Sequence, residues 1–60
     1  MISDFDLLKD VFDKLNIEYE IIERKDLHYK PKRSNKAILF DDLVYYYFDK
    51  NDSFIDYSIN

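Results

Sequence analysis

Between Ser3 and Leu15 the apolar positions fall at Phe5, Leu8, Phe12 and Leu15, with Leu7 and Val11 widening the stripe. That three-and-four spacing predicts an amphipathic helix over about residues 3–15. Ser3 stands where an N-cap belongs, Asp4 and Asp6 complement the positive end of the helix dipole, and Asp10 and Lys14 form a favourable i,i+4 pair. Asn16 is the residue other than glycine best suited to the left-handed conformation that ends a helix.

From Ile17 the period becomes two. Ile17, Tyr19 and Ile21 alternate with Glu18 and Glu20, as in a strand with one buried face. Two further runs, 37–40 and 43–48, flank Asp41-Asp42 and predict a tight hairpin. Asp49-Lys50-Asn51-Asp52 is a second turn, with Asn51 or Asp52 at positive φ, before a last strand over Ser53 to Ile59 that puts Ile55, Tyr57 and Ile59 on one side. The pattern predicts one α+β domain over residues 1–60: an N-terminal amphipathic helix packed on a mostly antiparallel sheet of about four strands, the C-terminal hairpins spanning about 37–59.

Tyr45, Tyr46, Tyr47 and Phe48 carry rings to both faces of one strand, and a single helix covers only one of them. The other face calls either for a loop of the same chain or for a partner. Tyr and Phe are enriched in interface cores, so the expectation is a symmetric homodimer formed through Tyr45, Tyr46, Tyr47 and Phe48 and extended by Phe54.

Charge adds a second division. Residues 24–36 hold six Lys or Arg (Arg24, Lys25, Lys30, Lys32, Arg33, Lys36) against Asp26, a net +5, while the rest of the chain carries −9 for an overall −4. With Pro31 and a polar run after it, this stretch reads as a solvated basic loop. Lys30, Lys32 and Arg33, interleaved with His28 and Tyr29, suit phosphate contact and base stacking; the plainer alternative is an exposed connection whose charge opposes the acidic body. Asp6, Asp10 and Asp13 share one helix face, with Glu18, Glu20 and Glu23 close behind. Spaced carboxylates can imitate a phosphate ladder and occupy a basic groove, or simply form a solvated face. The acidic helix face and the basic loop are together the expected partner-binding residues.

Composition narrows the classes. A chain of 60 residues buries only about 60% of the surface it exposes when unfolded, so stability is marginal. Without cysteine there is no disulfide and no thiolate zinc site, and His28 stands alone, so neither metal nor cofactor is expected. Asp49, Asn51, Ser53 and Asp56 resemble the start of a calcium loop, but Phe54 stands where that loop needs Gly. No nucleophile–base constellation or phosphate-cradling glycine loop is present, which points away from an enzyme. No apolar run approaches the roughly 20 residues that span a bilayer, and the acidic start lacks a signal-peptide pattern, so the expected location is the cytoplasm.

Phe, Tyr, Met, Ile, Asn and Lys fill half the chain, and all six have AT-rich codons, as in a low-GC bacterium or its phage. In its helix-first layout, its Leu7-Leu8-Lys9-Asp10-Val11-Phe12-Asp13-Lys14-Leu15 opening and its closing Phe48-Asp49-Lys50-Asn51-Asp52-Ser53-Phe54 hairpin, the chain resembles small accessory proteins of phages and prophages of low-GC bacteria. It departs from them at Asp52, where they usually place Gly. The resemblance implies a class in which many members are binding inhibitors of host machinery, including anti-defence proteins that block CRISPR–Cas nucleases or helicase–nuclease systems such as Hachiman. The expectation is therefore a non-enzymatic phage inhibitor that engages a host defence or DNA-processing protein in the host cytoplasm. The alternatives are a small nucleic-acid-binding regulator using residues 24–36, and a phage structural or assembly subunit.

Overall fold

The computed structural model describes residues 2–60. Helix α1 spans Asp4–Lys14 and leads into strands β1 (Tyr19–Glu23), β2 (Lys36–Phe40), β3 (Val44–Phe48) and β4 (Phe54–Ile59). All neighbours pair antiparallel in the order β1-β2-β3-β4, the α+β arrangement that the periodicities predict.

The ends of α1 follow from local chemistry. Ser3 Oγ accepts the Asp6 N–H at 3.1 Å, which satisfies one of the unpartnered donors of the first turn. At the other end Asn16 takes φ 57°, its N–H donates to Asp13 O, and the Ile17 N–H reaches back to Phe12 O at 2.9 Å. That double closure reverses the chain into β1.

One sheet face packs on α1. Phe5, Phe12, Ile38 and Phe48 form its buried core, with Leu8, Ile17, Tyr19, Phe40 and Tyr46 packed around them. Phe5 meets Phe48 edge-on at 5.2 Å, and Phe12 lies 5.4 Å from Phe40. Edge and tilted geometries let the ring quadrupoles attract as well as exclude water.

The other face has its own core, and this corrects the expected dimer face. Leu27, Ala37 and Tyr47 are buried together with Ile22, Tyr45 and Ile55 packed on them. Their cover is residues 24–35 of the stretch 24–36 expected to be a solvated loop, Lys36 instead opening β2. Arg24–Asp26 forms a short 3₁₀ turn, Leu27 drops onto the sheet, and Tyr29 meets Tyr47 edge-on at 5.6 Å. The Arg24 guanidinium fastens the segment from within, donating to Ser34 O (2.8 Å), Ser34 Oγ (2.6 Å) and Pro31 O (3.2 Å). The Asn35 N–H then joins Phe48 O at 2.7 Å. Tyr47 and Phe48 are each 1% exposed within a single chain, so neither is free to form the dimer contact. Tyr45 and Tyr46 remain half-buried on opposite faces.

A second correction concerns β4. A bulge opposite Tyr47 and Phe48 inserts one residue, so that Phe54 pairs with Phe48, Asp56 with Tyr47 and Tyr57 with Tyr46. Ile55 therefore joins the loop-side core, whereas Tyr57 and Ile59 lie on the helix side. Phe54 is also on the helix side, 6.0 Å from Phe48 and 6.4 Å from Tyr46, and does not extend the face carrying Tyr45 and Tyr47.

Candidate functional site

The basic segment is divided by the fold. Arg24 is committed to the internal bonds above, Lys25 pairs with Glu23 at 3.6 Å, and Lys36 pairs with Asp52 while its ammonium lies 4.1 Å above the Phe5 ring. Lys30, Lys32 and Arg33 remain exposed and, among the described residues, without a carboxylate partner within 4.0 Å. Arg33 occupies the turn closed by the Ser34 N–H to Pro31 O bond, with φ 69°. Tyr29, more than half exposed, stands beside them, and His28 is exposed.

The acidic helix face is also divided. Asp6 pairs with Lys9 at 3.7 Å and Asp10 with Lys14 at 3.2 Å, which partly neutralises that face. Asp13 instead accepts the Tyr19 hydroxyl at 3.2 Å and turns toward β1. Partial burial of the Tyr19 ring, then the hydrogen bond to Asp13 and the charge of that carboxylate, raise the hydroxyl above its ordinary pKa.

Around Asp13 the chain gathers a carboxylate cluster drawn from three parts of the sequence. The end of α1, the start of β1 and the β2–β3 turn border an open cleft of about 970 Å³ carrying Asp13, Glu18, Glu20, Asp41 and Asp42. Antiparallel pairing causes the gathering: Tyr19 opposite Phe40 sets Glu18 and Glu20 beside the Asp41-Asp42 turn. None of the five pairs with Lys or Arg among the described residues. Ile17, Leu39 and Phe40 also line the cleft, so the carboxylates stand beside apolar side chains that screen them less than water would.

No protein-family model, curated protein or solved structure matches the chain.

Of the residues singled out by sequence, the structure keeps Lys30, Lys32 and Arg33 together and Asp6, Asp10 and Asp13 on one helix face, but only Asp13 belongs to the unneutralised cluster. Asp41 and Asp42 were legible only as turn residues. Pairing the run 37–40 with the strand starting near Tyr19 would have brought them beside Glu18 and Glu20. Among the described residues no group of His, Asp and Glu is placed to hold a metal ion, and no helix is long and apolar enough to cross a membrane.

Proposed function

We propose that this chain is a non-enzymatic binding protein, phage-encoded, that blocks a host antiviral defence or DNA-processing protein by offering its carboxylate end to a basic surface that otherwise meets nucleic-acid phosphates. The observation that carries the reading is the grouping of Asp13, Glu18, Glu20, Asp41 and Asp42 around one open cleft without counter-cations among the described residues. Carboxylates spread over a rigid surface attract the Lys and Arg clusters that nucleic-acid enzymes keep for phosphate. The AT-rich residue usage and the resemblance to phage accessory proteins favour a host protein as the target.

The test is expression in a host carrying such a defence system, with capture of the bound protein. The reading expects restored phage plating and a captured partner that duplex DNA displaces. No protection together with no DNA-displaceable partner contradicts it.

A second reading draws on Lys30, Lys32 and Arg33 beside the exposed Tyr29: direct binding of single-stranded nucleic acid. Salt-sensitive gel shifts that disappear when the three cations are replaced by Ala would support it. Their absence removes it.

A further inference from the structure

The two edges of the sheet differ. β1 carries Glu20 and Glu23 and is preceded by Glu18, charges that discourage another strand from pairing there. β4 carries a single ionisable acid, Asp56, with no Lys or Pro. The Asn60 N–H donates to Leu43 O at 2.8 Å, so by alternation Ser58 and Asp56 face β3 while Tyr57 and Ile59 turn their backbone N–H and C=O groups outward. The Tyr57 N–H is held only by the neighbouring Asp56 carboxylate, an exposed local bond of 2.8 Å.

An uncovered apolar surface runs along the same edge. Asp4 accepts the Phe54 N–H at 2.9 Å and so marks the side of α1 that faces β4; Asp13, bound to Tyr19, marks the side facing β1. Leu7, Val11 and Leu15 follow Asp4 at spacings of three and four and share its side. Across from them stand Phe54, Tyr57 and Ile59 on the helix side of β4. These six residues are between 41% and 65% exposed. With large apolar residues presenting roughly 200 Å² each when free, they expose about 600 Å² per chain, most of it apolar, toward the upper end for a monomer's largest patch.

We infer that this surface is where a second copy of the chain binds, through antiparallel β4–β4 pairing. With a two-fold axis at Ser58, Tyr57 of each copy lies opposite Ile59 of the other, and both exchange backbone N–H···O=C bonds. Asp56 then releases the Tyr57 N–H to the new strand. The sheet continues across the axis, with Leu7, Val11 and Leu15 of each α1 flanking the groove above the new seam. One partner thus covers the open edge and the apolar helix flank together. The two patches sum to about 1,200 Å², an upper bound on what the pairing buries that reaches the area at which specific interfaces begin. The carboxylate cleft lies toward β1, so the pair keeps both clefts exposed, and the association stands whether or not the cleft binds a host protein.

Sedimentation equilibrium of the full chain, with amide hydrogen exchange on the same samples, tests this. The expected result is a mass rising in the micromolar range from 7.4 kDa to twice that value. Exchange at Tyr57 and Ile59 should slow about tenfold over the same range. Ile59→Lys, which adds a charge at an exposed edge position, should remain monomeric, with the melting curve that wild type shows at dilutions where it too is a single chain. If that variant is unfolded, Leu7→Lys on the facing helix flank provides the same test. A single-chain mass at every concentration, a doubled mass without protection at Tyr57 and Ile59, or a folded lysine variant that associates like wild type each overturns the inference.

Discussion

Asn16, Arg33, Asp41, Asp42 and Asp52 all adopt positive φ in a chain without glycine. Each such residue costs on the order of 1 kcal/mol relative to a relaxed backbone, less where an Asn or Asp side chain makes local bonds. Asn16 is offset by the helix closure, and Asp52 by its ion pair with Lys36 and by its carbonyl, which accepts the Phe5 N–H at 3.0 Å. Asp41 (φ 58°) and Asp42 (φ 52°) form a turn of the I′ kind, closed by Leu43 N–H to Phe40 O, and have no such offset among the described residues. Asp41→Asn with Asp42→Gly, the preferred pair for this turn, should raise stability by about 0.5–1 kcal/mol in urea titration. It should also weaken binding of a cationic partner. Equal or lower stability would show that the two aspartates are relaxed there.

At the scale of elements, the segment 24–35 and the bulge in β4 separate what the sequence disclosed from what it hid. The helix was legible to within a residue because Ser3, Asn16 and the apolar stripe all mark it. The strands were legible from alternation, and a positive φ at Asn51 or Asp52 from the lack of glycine in that turn; the structure places it at Asp52. A loop covering Tyr47 was legible only as one of two alternatives, and that residues 24–35 supply it was hidden, because charges dominate their composition while only Leu27, Pro31 and Ser34 are buried. So was the role of Arg24, which reads as one more surface cation until its three acceptors are seen. The bulge hid for a different reason: one inserted residue leaves no local signature, yet it sends Ile55 to the opposite face from Tyr57. Arg24→Ala should cost about 2 kcal/mol by leaving the Ser34 and Pro31 acceptors without that partner. Arg24→Lys should recover part of this, since all three bonds leave one nitrogen, Nη1, which an ammonium can replace only if the shorter lysine side chain reaches the same point. Hydrogen exchange at Ser34 and Asn35 should accelerate in step. An unchanged midpoint would mean that Leu27 and Tyr29 hold the segment unaided.

For the whole molecule, 29 × 28 × 15 Å in extent, the main consequence is a division of the surface. The carboxylate cleft lies where β1 starts and β2 turns, Lys30, Lys32 and Arg33 lie on the cover that joins the other ends of those strands, and the apolar surface follows β4. Association through the cleft should weaken steeply with salt, because its charges are exposed. Replacing Asp6 and Asp10, already paired with lysines, should change it little. The most direct measurement is phage plating in a defended host expressing either the wild-type chain or a Glu18→Gln, Glu20→Gln, Asp41→Asn, Asp42→Gly variant, with the melting of both proteins measured in parallel. Wild type should restore plating, and the variant should fail to do so while melting no lower. Full protection by the variant, or none by wild type, would contradict the assignment of function to the carboxylate cleft.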